Sequence, residues 1–217
     1  MNYLKLKKKL KLLSADLPQT HCIRLHRALS WLKCAEEHNE DLDLQFITLW
    51  IAFNSCYANE ENMESLTPER QQSNDFVSKL VKHDVDNRFF DLLWNAFSGP
   101  VRLLIENKYV FKPFWEFQRK QVKDWKKLHY KSINDAHKYL SGQQVPQLLE
   151  LVIDRLYTLR NQLLHGGATY KSKLNRLQMK DACSILKLLV PIIIEIMMLN
   201  GSEDWGKVHF PVITQSA

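Results

Sequence analysis

The chain has 217 residues, 45% of them hydrophobic and only six of them glycine, which is enough for one core, too little to favour two domains, and poor in the turn residues that sheets need. Thirty Lys and Arg against 24 Asp and Glu give a formal charge of +6, compatible with a polyanionic partner but also common in proteins that bind none. Cys22, Cys34, Cys56 and Cys183 form no C-x-x-C pair and no histidine sits in a ligand cluster, so free thiols are expected and neither a metal site nor a cofactor.

Helical periodicity dominates, so the expected class is all-α, with one helical domain over 1–217, a basic arm at 1–17, an exposed loop at 59–73 and an irregular tail at 201–217. The run Tyr3 to Leu13 interleaves leucine with lysine and reads as a basic amphipathic helix or, at its start, as a period-2 strand. Its leucines are expected to dock on the body; RNA phosphates or an acidic membrane surface are the other partners such a segment suits, and the membrane ranks last. Pro18 ends the arm, and Thr20 suits the N-cap of a helix to about His38 with Leu25, Leu29 and Leu32 inward and Arg24 and Arg27 on its polar face.

Asp41 or Asp43 suits the cap of the next helix, with Leu44, Ile47, Trp50, Ile51 and Phe53 as core residues. Asn54 stands out in that setting, because a buried amide without a partner costs about 1–3 kcal/mol. It either ties helices together or borders a functional pocket. Helices are expected from Ser73 or Asn74 through Lys82 and from Asp86 through Ser98, the second stopped by Gly99-Pro100. Between Val101 and Leu140 aromatic residues alternate with cations. Aromatics at helical spacing favour a core with lysines on the wet face; Arg119, Lys123, Lys126 and Lys127 are the residues through which the same segment would bind single-stranded RNA.

The stretch from Leu148 to Gly167 places Leu148, Leu149, Val152, Leu156, Leu159 and Leu163 at three- and four-residue steps. Pro146 suits its first turn and the pair Gly166-Gly167 its end, so the helix is expected to stop at about His165. Asn161 and His165 then fall about 40° apart on one face, with Arg160 about 100° from Asn161. A guanidinium fork for phosphate, an amide, and a histidine able to move protons near neutrality suit phosphodiester cleavage. A surface arginine with a C-capping histidine would look the same, and Arg-to-His spacings of this kind arise about once by chance in a chain with eight histidines. Beyond the glycines, a long helix from about Lys173 to Asn200 is apolar over more than one stripe, interrupted by Pro191, which should kink it or begin a second half. Its most apolar run, Ile185 to Leu199, is judged too short and too charged to span a bilayer. An apolar helix of this kind must be covered all round, which a two-fold dimer would do. In the tail, Trp205 is expected to anchor.

The sequence R-N-x-x-x-H-G at 160–166, at the end of one long helix and before another, resembles the R-x(4–6)-H motif of HEPN domains, and FITLWIAFNSCYA at 46–58 is similar to the early helix of bacterial ApeA-like HEPN proteins. The resemblance covers most of the chain. It implies a HEPN-like helical bundle with a few additional helices, a two-fold homodimer, and metal-independent endoribonuclease activity carried by Arg160, Asn161 and His165, in toxin–antitoxin or antiphage systems with an antitoxin or defence protein as partner. A HEPN subgroup has tyrosine two residues after the histidine; here that position is Gly167 and the nearest tyrosine is Tyr170, so regulation by tyrosine adenylylation is not implied. The expected function is cleavage of RNA in the cytoplasm, away from membranes; the alternative is a HEPN module that binds RNA, a nucleotide or a protein without cutting.

Overall fold

The computed structural model describes residues 2–58, 69–208 and 210, and among these it is all-helical, with no strand. The helices are α1 (Tyr3–Leu13), α2 (Gln19–Glu37), α3 (Leu42–Tyr57), α4 (Glu69–Lys82), α5 (Arg88–Ala96), α6 (Arg102–Glu106), α7 (Lys112–Gln118), α8 (Trp125–Ser141), α9 (Val145–Leu164) and α10 (Arg176–Leu199). Of the expected loop at 59–73, residues 59–68 lie outside the described residues, while α4 begins at Glu69, earlier than the periodicity suggested. Residues 211–217 of the tail also lie outside them.

α2 and α3 fold back on one another across the turn at 38–41, and α10 lies against both, with α1, α5 and α6 covering its other sides. The N-terminal arm is helical. It docks through Leu6, fully buried, and through Lys9, whose ammonium meets the Glu195 carboxylate at 2.6 Å. Arg88 reaches the same carboxylate at 2.7 Å and Asp84 at 3.2 Å, so charged groups tie α1, α5 and α10 together at a point where each would be costly to bury alone.

Pro191 does not begin a second half of α10 but sits inside one continuous helix. The helix is also long and apolar enough to cross a bilayer, yet 72% of its apolar window is buried by the protein's own helices. A single chain therefore covers most of the surface for which a second copy was invoked. Leu177, Leu188 and Leu199 remain at least half exposed along it.

Periodicity placed Leu25, Leu29 and Leu32 of α2 and Trp50 and Phe53 of α3 inward, as they are, but misplaced others on both helices. In α3 the buried side runs through Phe46, Leu49, Trp50, Phe53 and Cys56, whereas Leu44 is 40% exposed and Ile47 and Ile51 are half-buried. The helix packs on α2 and α10 at once, so apolar residues occur nearly all round it and one stripe cannot be singled out. In α2, Arg24 is buried, not solvated: its guanidinium donates to the carbonyls of Cys56 (2.8 Å), Ala58 (2.9 Å) and Gly206 (2.8 Å). Thr20 lies within the first turn of α2, and Pro18 holds the N-cap position. Asp41 does cap α3, accepting from the amides of Asp43 and Leu44 at 3.1 Å.

The Gly99-Pro100 break does stop the helix: α5 ends at Ala96, the backbone leaves helical geometry at Gly99 (φ −132°, ψ −114°), and α6 begins at Arg102. Beyond it Phe114 lies edge-on to Tyr109, Trp115 and Trp125, but the expected core holds only for Phe111, which is buried: Phe114, Trp115 and Trp125 are half-buried, and Tyr109, Phe117 and Tyr130 are exposed. Trp205 anchors the tail, packed edge-on to Phe76 at 6.1 Å and donating its indole N–H to the Asn200 carbonyl at 2.9 Å.

Candidate active site

α9 carries the candidate residues because its sequence fixes both its ends. Pro146 occupies the first turn, where a missing N–H costs nothing. At the other end His165 is the C-cap, Gly166 adopts φ +71°, and the chain closes with Gly166 N–H on the Leu163 carbonyl (3.2 Å) and Gly167 N–H on that of Gln162 (2.7 Å). A Cβ on Gly167 would lie 2.9 Å from the Gln162 carbonyl oxygen, so both glycines are needed for the turn that presents His165. The connection that follows is held to the start of α3: the Tyr170 hydroxyl donates to Asp41, and Arg176 meets Asp43 at 2.7 Å. Tyr170 keeps the Asp41 carboxyl below the usual carboxylate range.

At the C-terminal end of α9 the Arg160 guanidinium donates to the Asn161 side-chain oxygen at 2.8 Å and lies over the Tyr157 ring at 5.7 Å. Its Nε is buried and has no acceptor. Arg160 and Asn161 are half-buried, and His165 is exposed.

Arg160 also opens on a cleft of roughly 780 Å³ between α3, α4, α7, α8 and α9. Asn54 borders the same cleft, as one of the two readings of its position had it. Along that wall Trp50 packs against Tyr157 at 6.1 Å, and Phe53 stacks on Tyr57 at 6.1 Å. The opposite wall holds Arg155, 3% exposed, which donates to the Ser132 hydroxyl (2.7 Å) and lies over the Phe111 ring at 4.4 Å. Burial lowers its pKa to about 10, with Asp154 opposing. Behind it, burial and then the charge of Arg155 hold His129 below the ordinary histidine value. The cleft carries as many carboxylates (Glu116, Asp135, Glu150, Asp154) as cations (Lys112, Lys131, Arg155, Arg160).

The structure thus brings Arg160 to Asn161 and puts Arg160 with Asn54, but neither Asn161 nor His165 lines the cleft. Arg119, Lys123, Lys126 and Lys127 are exposed on the α7–α8 connection and the first turn of α8, outside the cleft lining, whose cations are Lys112, Lys131, Arg155 and Arg160 instead. Tyr157 was missed by sequence reasoning, although its position three residues before Arg160 is the spacing at which helix side chains meet. Arg155 was missed because nothing in the sequence distinguishes a buried arginine from a solvated one. No family model, no curated protein and no solved structure matches this chain.

Proposed function

We propose that the protein is a metal-independent endoribonuclease of HEPN type, acting as a toxin or antiphage effector, in which Arg160, Asn161 and His165 do the chemistry. The observation that carries the reading is the arrangement at the end of α9: a guanidinium oriented by Asn161, and an exposed imidazole one helical turn beyond on a two-glycine turn. The ribose 2′-oxygen attacks the adjacent phosphorus as its proton passes to a base, and the 5′-oxygen leaves with a proton from an acid. His165 moves protons, and Arg160 stabilises charge on the phosphoryl oxygens. The test is purified protein with single-stranded RNA in EDTA. Cleavage leaving 2′,3′-cyclic phosphate and 5′-hydroxyl ends is expected; activity that requires added magnesium contradicts the reading.

An in-line displacement needs base and acid on opposite sides, which one histidine supplies poorly. A two-fold homodimer would add the second His165. With α10 largely buried in its own chain, support for a dimer comes from elsewhere: Leu164, Tyr170, Leu174 and Leu177 are 49%, 64%, 92% and 75% exposed on the segment around His165. Exposed apolar side chains close together in the chain suit an interaction surface. Light scattering at micromolar concentration is expected to give a dimer, and Leu174→Asp with Leu177→Asp a monomer with cleavage lost; a monomeric wild type that cleaves sinks the shared-site arrangement.

The alternative, a HEPN module that binds RNA without cutting it, has one observation in its favour: among the described residues no side chain orients the His165 ring. RNA retained but uncut in the EDTA experiment would select it. RNA bound by either form is expected to run over Arg119, Lys123, Lys126 and Lys127, with an antitoxin or defence protein as regulator.

A further inference from the structure

We propose that the cleft beside Arg160 takes one unpaired nucleobase of the RNA, next to the phosphate that is cut, and that Asn54 reads it. The inference rests on the ribonuclease reading for its substrate and goes beyond it in assigning a specificity pocket.

Size and lining come first. At roughly 780 Å³ the cleft is within the range of about 300–1,000 Å³ usual for ligand sites, with room for a nucleotide unit. On its α3 and α9 walls the half-buried rings of Tyr57 and Tyr157 face the cleft, backed by Trp50 and Phe53, which are buried. Rings of this kind stack on bases, whatever the base.

Charge then separates base from phosphate. Carboxylates and cations balance in the lining, so the interior offers little field to draw in a phosphodiester, while a neutral, polar, planar ring is not repelled. The phosphate stays at the rim with Arg160, whose link to Asn161 joins the pocket to the site of cleavage. The base inside is therefore that of a nucleotide flanking the cut.

Unused hydrogen-bonding groups complete the argument. The Asn54 side chain is half-buried and, among the described residues, makes no hydrogen bond, although an amide in such a setting normally has partners. Trp50 is 4% exposed and its indole N–H has no acceptor; the Nε of Arg160 has none either. Donor and acceptor side by side on one amide match the edge of a base, which is how asparagine pairs with adenine in two bonds. A base already paired and stacked in a duplex cannot enter, so the substrate must be single-stranded at this position.

Two measurements test this. In the first, single-stranded oligoribonucleotides with one cleavable linkage carry each of the four bases beside it. Wild type should favour one base by about tenfold in kcat/KM, and Asn54→Ala should make the four substrates converge. Asn54→Asp, nearly isosteric, should change which base is favoured, and circular dichroism would establish that both variants are folded. In the second, the His165→Ala protein binds an oligoribonucleotide with 2-aminopurine beside the cut position. Stacking in the pocket should quench its fluorescence, and adding Asn54→Ala should relieve the quenching. Cleavage that proceeds with the same rates and base preference in all three proteins overturns the pocket and leaves the ribonuclease reading standing. No cleavage, but quenching that depends on Asn54, does the reverse. Neither cleavage nor quenching overturns both.

Discussion

His165→Ala is expected to lower RNA cleavage at least about 10²-fold, since a positioned acid or base contributes about 10²–10⁴. The local structure makes the variant informative. The turn that holds His165 is closed by main-chain bonds from His165, Gly166 and Gly167, none of which uses the imidazole, so the fold and its thermal midpoint should survive the substitution. A loss of rate without a loss of stability then belongs to chemistry. Arg160→Lys should fall by a comparable factor, about 10²–10³ for a group that stabilises charge in the transition state. Its planar fork binds Asn161 with one nitrogen while presenting others, which an ammonium cannot reproduce. Should His165→Ala cleave RNA at the wild-type rate, the assignment of the reaction to the end of α9 fails, whatever other residues do.

What was legible in the sequence follows from which residues speak locally. α9 was read to within a residue of its ends because Pro146 and the pair Gly166-Gly167 act through the backbone they occupy. α3 was found, but only Trp50 and Phe53 of its expected core residues are buried, since a helix packed on two sides carries no single stripe. The cover of α10 depends on which helices surround it, a matter of tertiary structure; α1, α2, α3, α5 and α6 pack on it and 72% of its apolar window is buried, so most of the surface for which a second copy was invoked lies within one chain. At the site, helical angles paired Asn161 with His165 and set Arg160 apart, whereas the side-chain bond joins Arg160 to Asn161; of the two roles open to Asn54, the cleft lining agrees with the pocket-bordering one. That Arg160 belongs to both arrangements while His165 stands outside the cleft required the positions of α3, α4, α7 and α8, which no local pattern encodes.

Arg24→Met is expected to destabilise the protein by about 3 kcal/mol, which for a chain of this size lowers Tm by about 6–12 °C. Methionine keeps much of the stem and removes three bonds to the carbonyls of Cys56, Ala58 and Gly206. Two terms oppose. Burial already depresses the Arg24 pKa, so the charge is held at a cost that the variant recovers. Against this, three acceptors lose a charged donor, in a place 1% exposed where water does not replace it without opening the structure. The second term should win, because the bonds tie α2 at once to the end of α3 and to the segment carrying Trp205. Tryptophan emission should shift to the red as Trp205 loses its packing on Phe76 and His83. Asn54 and Tyr57 stand on that same last turn of α3, so Arg24→Met should also erode base preference before it erodes cleavage itself. An unchanged Tm would mean that burying the guanidinium costs as much as its three bonds return, and that α3 is held at this end by packing alone.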